Sequence, residues 1–130
     1  MLALELATPL AYTLVALLEN KIVGMAIFYY TFSSFTAKQC LWLDDIYVKE
    51  SIRSMGTGKA LMDRIIEIAK EHNCSRLNWT VAKSNIRAKK FYSNIGAEIS
   101  EKEQLATLNF ESCEAGQTLN LSRSERDFEL

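Results

Sequence analysis

The sequence predicts one domain of mixed α/β (α+β) class, a mixed central sheet of about five to six strands with flanking helices. Three observations predict it. Residues 12–19 and 22–31 are apolar, aromatic and β-branched runs separated by Asn20-Lys21, a hairpin signal that makes part of the sheet antiparallel. Residues 41–71 read strand, loop, helix, and another strand pattern follows at 76–81. That order implies a right-handed crossover and a parallel pair. No repeat or low-complexity linker divides the 130 residues, a length sufficient for one core.

Residues 1–11 are ambiguous and break at Thr8-Pro9. Strand 12–19 closes at the Glu19-Asn20-Lys21 turn. Strand 22–31 contains Gly24, which marks a bulge or the close approach of another backbone. Its Phe28, Tyr29 and Tyr30, with Phe32, form an aromatic cluster expected to pack in the core and on the sheet. Residues 33–39 are a polar turn. In strand 40–48, strict alternation puts Trp42, Asp44, Ile46 and Val48 on one face and Asp45 and Tyr47 on the other. A carboxylate in such a strand is costly to bury unless paired or used, so Asp44 and Asp45 are functional candidates.

Residues 59–71 form an amphipathic helix with Leu61, Ile65, Ile68 and Ala69 on one face, widened by Met62 and Ile66. The single histidine, His72, ends it with Asn73, where a capping role fits. Strand 76–81 aligns Leu77, Trp79 and Val81. Asn85 is an N-cap for a second helix, with Ala88, Phe91, Tyr92 and Ile95 on its packed side and Arg87, Lys89 and Lys90 on the other. Gly96 closes that helix as the residue after its C-cap. Residues 97–99 and 104–110 supply the remaining strand candidates, and 122–130 reads as a polar tail.

Composition narrows the function classes. A formal net charge of −1 gives no basic excess for neutralising nucleic-acid phosphates. Cys40, Cys74 and Cys113 have neither the spacing nor the histidine partners of a zinc site, so no metal is expected. Their odd number fits a reducing, cytoplasmic compartment. Residues 1–18 are apolar but carry Glu5 and Pro9 and lack a basic leader, so they read as structure and not as a signal or membrane span.

The chemistry concentrates at Arg53-Ser54-Met55-Gly56-Thr57-Gly58, between strand and helix. A glycine turn opening a helix presents bare N–H groups and the positive end of the helix dipole to an anion. A P-loop would need Gly where Arg53 stands and Ser or Thr where Ala60 stands. A dinucleotide fingerprint would need Gly where Leu61 stands. An ordinary strand–turn–helix with glycines for geometry is the alternative. The hexapeptide resembles the acetyl-CoA signature of the GNAT N-acetyltransferase superfamily, Arg/Gln-x-x-Gly-x-Gly/Ala, with Ser54 where many members have Gly. Asn85, Ala88, Phe91-Tyr92 and Gly96-Ala97 resemble a second block of that family, in family order. The likeness covers roughly residues 15–110. It is nearest to the diamine (spermidine/spermine) acetyltransferases, through Gly24 to Tyr30, Leu43 to Val48 and Lys90-Phe91-Tyr92.

The resemblance implies a GNAT-like fold and transfer of acetyl from acetyl-CoA to a primary amine of a small cationic acceptor. It implies that backbone groups of Ile46, Tyr47 and Val48 pair with the pantetheine arm. The N–H groups of Ser54, Met55, Gly56, Thr57, Gly58 and Lys59, preceded by Arg53, would hold the pyrophosphate. Asn85 and Ala88 would lie on the cofactor's far side. Tyr92 would assist the leaving sulfur, Asp44 would handle the amine and the Val48 N–H would stabilise the oxyanion. These roles make chemical sense. An alkyl amine has a pKa of about 10.4 and must lose a proton to attack. A thiol leaves with a pKa of about 8.5 against about 10 for a phenol, so Tyr92 is better suited to hydrogen bonding or late proton transfer than to full early protonation.

The chain departs from the family in one respect: the hairpin starts near Tyr12, where a strand and one or two helices usually come first. The expectation is therefore a homodimer, with a partner covering apolar surface beside Trp42, Ile46 and the 28–32 aromatics, and residues 1–10 reaching over the gap. An acyl-CoA-binding module without catalysis, or a partner-binding remnant of the fold, are the alternatives.

Overall fold

The computed structural model describes residues 10–102 and 106–110. Its sheet has four strands in spatial order β1-β2-β3-β4: β1 (Tyr12–Leu18), β2 (Lys21–Ser33), β3 (Lys38–Val48) and β4 (Leu77–Asn78). The first three are antiparallel neighbours and β4 runs parallel to β3. Helix α1 (Thr57–Glu71) makes the crossover, and α2 (Ile86–Asn94) follows β4. The mixed class is as expected, but strand detail differs. Residues 97–99 and 106–110 form no strand, and the 76–81 pattern yields only a two-residue ladder. The opening segment at 1–9, the start of the 104–110 segment and the 122–130 tail lie outside the described residues. Among the described residues no helix is long and apolar enough to cross a membrane.

Local chemistry explains the connections. Leu18 pairs with Lys21, so the hairpin turn is Glu19-Asn20, one residue earlier than the Asn20-Lys21 reading. Both have positive φ (50° and 62°), the signature of a type I′ turn, whose twist matches that of the strands. Helix α1 ends with Asn73 at φ 54°. The Asn73 and Cys74 N–H groups return to the Lys70 and Ala69 carbonyls, a Schellman closure. The His72 ring nitrogen Nδ1 lies 2.9 Å from the Ile68 carbonyl, in keeping with its expected capping role. At α2, Asn85 Oδ1 accepts from the Ala88 N–H at 2.9 Å. Gly96 and Ala97 donate to the Ser93 and Tyr92 carbonyls in a second Schellman closure.

Two extra residues shape the sheet. Ala16 pairs with Gly24 but Leu17 with Ile22, which leaves Val23 as a bulge in β2. Ile27 pairs with Asp45 but Phe28 with Leu43, which leaves Asp44 as a bulge in β3. The second bulge corrects the strict alternation read from sequence. Leu41 and Leu43 before it, and Ile46 and Val48 after it, are all buried against α1, together with Ala26, Phe28, Leu61, Met62, Ile65 and Ala69. Trp42 points to the opposite face, where its ladder partner Tyr29 also sits. Tyr12, Phe28 and Tyr30 form a ring cluster on the α1 side, with centroids 5.6–6.2 Å apart.

The opposite face carries Val15, Met25, Ile27, Tyr29, Trp42 and Tyr47, half-buried or exposed and outside the core cluster. The apolar surface expected to lie open is therefore this row. Phe28, expected to pack in the core, does so at 5% exposure, and Ile46, beside which open surface was expected, is itself buried at 4%.

Gly24 lies beside Tyr47 of β3 and against α1. A Cβ there would lie 3.0 Å from the Tyr47 carbonyl oxygen and 3.2 Å from Leu61 Cδ1, as the close-approach reading of this glycine expects, whereas the bulged residue is Val23 and not Gly24. Gly24→Ala is expected to lower stability by about 1–3 kcal/mol through overpacking against backbone. A denaturant midpoint unchanged from wild type would show that β2 and β3 are not so tightly apposed.

Candidate functional site

Parallel pairing of β3 with β4 involves only Leu41 with Leu77 and Trp42 with Asn78. Beyond the Asp44 bulge the far edge of β3 has no ladder partner among the described residues. The N–H of Lys49 donates to the Val23 carbonyl at 2.8 Å, so Gly24 and Val48 are a non-hydrogen-bonded pair. The N–H and C=O of Val48, and by alternation those of Ile46, therefore point to that open edge. Tyr47 is the opposite case. Its backbone faces Met25 in the β2 ladder, so its main chain is not available on the open edge and the expected trio reduces to Ile46 and Val48.

The edge runs into a loop built by a short 3-10 turn (Glu50–Ile52) and the 53–56 segment. Arg53 Nε donates to the Val48 carbonyl at 3.1 Å, pinning the loop to the strand end. Ser54 has φ 70° and Gly56 φ 83°. Gly56 is the N-cap of α1, with no side-chain capping bond and no acidic residue in the first turn. The first amides of α1, at Thr57, Gly58 and Lys59, are thus left for an outside acceptor, with the helix dipole behind them. At α2 the Asn85 cap already occupies the Ala88 amide.

These parts enclose a cleft of about 210 Å³ lined by Val48, Ile52, Arg53, Ser54, Gly56, Thr57, Gly58, Lys59, Arg87 and Phe91. Ile52, Arg87 and Phe91 were not among the expected site residues. Arg87, read from the helical pattern as a solvated cation, faces the loop across the cleft. Met55 is 70% exposed and does not line the cleft. Nor do Asn85, which serves as the α2 cap, and Ala88, which is buried in the core.

Along the same edge, on the β4 side, a crevice is lined by Leu43, Asp44, Asp45, Ile46, Trp79, Thr80 and Tyr92. It holds about 10 Å³, about the room of one water. Tyr92 is buried with its ring edge-on to Trp79 at 4.9 Å. Asp44 is exposed on its bulge, and an Asp at a bulge is aimed away from the regular strand face. Its charge reaches Tyr29, whose phenol is raised above the ordinary value first by burial and second by Asp44. Helix α2 thus lies beside the open edge, with Arg87 and Phe91 toward the loop and Tyr92 toward the bulge.

An acyl-CoA thioester fits this donor set. Uncapped amides at a helix start suit a pyrophosphate. An unpaired strand edge suits the amide groups of pantetheine, as in strand addition. The crevice where that edge leaves β4 carries a phenol and a carboxylate.

Comparisons with known proteins identify the family. Residues 2–97 match the model of the acetyltransferase (GNAT) family. The chain is 30% identical over 100 residues to an L-ornithine N5-acetyltransferase of Arabidopsis thaliana, covering 77% of this chain and 44% of that protein. It is 32% identical over 91 residues to a thialysine N-epsilon-acetyltransferase of Bos taurus, covering 69% and 53%. The chain thus spans about half the length of these relatives. An integron cassette protein from the V. cholerae mobile metagenome superposes with a TM-score of 0.70 at 29% identity, over 85% of this chain and 67% of that one. A ribosomal-protein-alanine N-acetyltransferase of Brucella melitensis superposes with a TM-score of 0.66 at 27% identity, over 76% and 72%.

The loop geometry makes a test independent of activity. Ser54 holds a left-handed conformation that disfavours L-residues by about 1–2 kcal/mol, an amount that glycine's greater unfolded-state freedom partly offsets. Ser54→Gly should therefore leave stability unchanged or raise it by up to about 1 kcal/mol. Gly56→Ala should lower it by about 1 kcal/mol or more, from strain at φ 83° alone, since a Cβ there meets nothing within 4 Å. Thermal unfolding of both variants checks this, and a Ser54→Gly protein clearly less stable than wild type would contradict the loop conformation. With its signature loop uncapped for an anion, its strand edge left open and most of its length matching the family, the chain belongs to the GNAT acetyltransferase family.

Proposed function

We propose that the protein is an acetyl-CoA-dependent N-acetyltransferase acting on a primary amine of a small cationic acceptor, of the polyamine, diamine or amino-acid-like kind. The observation that carries this is the convergence of two backbone features on one cleft: the uncapped start of α1 and the open edge of β3 after Asp44. Acetyl-CoA, as cosubstrate, supplies the activated acyl group. The ornithine and thialysine acetyltransferases among the relatives act on amines, and that motivates the acceptor class.

The chain's own residues divide the work as follows. Amides from Ser54 to Lys59 receive the pyrophosphate, and Ile46 and Val48 hold the pantetheine arm by main-chain hydrogen bonds. The Val48 N–H points to the open edge and is the donor for the oxyanion. Asp44, charged and exposed beside Tyr29, attracts an ammonium and takes up its proton, directly or through water. Tyr92 donates a hydrogen bond to the departing sulfur from the opposite wall of the crevice. In this account amine and thioester react directly, with no acyl-enzyme, and Cys40 and Cys74 take no part. Among the described residues Cys40 and Cys74 are free thiols; a cytoplasmic location is part of this proposal. We also propose that the face of Val15, Met25, Ile27, Tyr29, Trp42 and Tyr47 pairs with a second copy, since contiguous apolar surface marks interfaces and twofold pairing is the commonest closed assembly.

Three measurements follow. Acetyl-CoA at about 100 times its dissociation constant should stabilise the fold by about 2.7 kcal/mol; an unchanged melting temperature at saturation would remove the proposed site. Tyr92→Phe should lower kcat by about 10²–10⁴-fold if the hydroxyl acts as a general acid, while Asp44→Asn raises KM for cationic amines and moves the rate profile to higher pH. Normal turnover by the Tyr92→Phe protein would take Tyr92 out of the mechanism, and acetyl-CoA binding without CoA release across an amine panel would favour a binding module. Light scattering at about 100 μM, above the range of stable interfaces, should report a dimer, and a clean monomer would exclude the pairing.

A further inference from the structure

Three cations line the cleft, and they are not equivalent. Arg53 directs its Nε to the Val48 carbonyl at 3.1 Å and so is engaged in holding the loop. Lys59 lies 2.6 Å from Asp63 one helical turn on, in an ion pair with both side chains more than half exposed. Arg87 makes no ion pair or hydrogen bond to another described residue, yet it lines the cleft from α2, opposite the open amides of α1. It stands two residues after the Asn85 cap and one turn before Phe91, which lines the same cleft. The two walls therefore present complementary halves of an anion site: dipole and N–H groups on the loop side, and a planar guanidinium with five donors on the α2 side.

From this we infer that Arg87 is a specificity-determining residue that binds a phosphate group of the acyl-CoA, so that the phosphates bridge α1 and α2. The inference rests on the acetyl-CoA reading above and goes beyond it, because that reading needs only the loop amides. A bridging phosphate ties Arg87 to the loop while Phe91 and Tyr92 continue along the same short helix. Phosphate recognition and the position of the phenol are thereby set by one rigid element. A guanidinium suits this role better than an ammonium, since it can engage two phosphate oxygens at once.

The test compares acyl donors with and without phosphates. In the wild type, kcat/KM for acetyl-CoA should exceed that for phosphate-free acetyl-pantetheine. In Arg87→Gln this ratio should fall about tenfold to a hundredfold, in line with loss of a charged hydrogen bond, and Arg87→Lys should recover part of it. A purely structural role for Arg87 would depress both donors alike, and an unchanged ratio overturns the inference. A second measurement uses the unmodified chain: CoA should shield Arg87 from phenylglyoxal, mapped by mass spectrometry, while pantetheine should not. Equal labelling with and without CoA overturns the inference even if the variants fail to fold. Wild-type protein that binds no acetyl-CoA would overturn the acetyltransferase reading itself, whereas tight binding that is indifferent to Arg87 overturns this inference alone.

Discussion

The site depends on where β3 stops pairing with β4. The parallel ladder ends at Trp42, and two residues later Asp44 is inserted as a bulge. The inserted residue keeps Leu41, Leu43, Ile46 and Val48 on the α1 face, so the core continues unbroken through the irregularity. On the other side of the strand the bulge has a second effect. Val48, and Ile46 two residues before it, keep N–H and C=O groups on an edge that β4 no longer covers. A fully paired β3 would have satisfied those groups internally and left no place for a ligand backbone.

The helices are organised around that edge. Helix α1 opens on Gly56 with no capping side chain, while α2 opens on Asn85 with a formed cap. The same fold thus leaves one helix start open to an anion and closes the other. Arg53 joins loop to strand through the Val48 carbonyl, which ties the start of α1 to the open end of β3. Tyr92 is held by Trp79, the residue immediately after β4. The separation of β4 from β3 therefore creates the crevice and also places the aromatic that supports the phenol.

Much of this was legible in the sequence, for identifiable reasons. Strand, loop and helix at 41–71 announced themselves through composition and two closely spaced glycines. Asn85 and Gly96 marked both ends of α2 by their capping chemistry. Gly24 signalled close backbone approach, and His72 a helix end. The bulge at Asp44 was not legible, because a period of two has no means of showing one extra residue; Trp42 was accordingly set on the same face as Ile46 and Val48. Arg87 was missed because a helical wheel sorts residues by polarity within one helix and ignores a loop that faces it across a cleft. The hairpin turn was misplaced by one residue because Asn favours turns without specifying its position in them. The β4 pattern promised six residues and delivered two, since strand propensity at Trp79 and Val81 cannot make a ladder where the neighbouring strand bends away.

The central claim is that the edge of β3 beyond Asp44 is the cofactor's docking strand, and residue-resolved amide hydrogen exchange by NMR tests it most directly. In the free protein the Ile46 and Val48 amides should exchange fast and the Tyr47 amide slowly, since only Tyr47 sits in the β2 ladder. Saturating acetyl-CoA should slow Ile46 and Val48 and leave Tyr47 nearly unchanged. Ile46 and Val48 amides already protected without ligand, or still fast at saturation, would contradict the account.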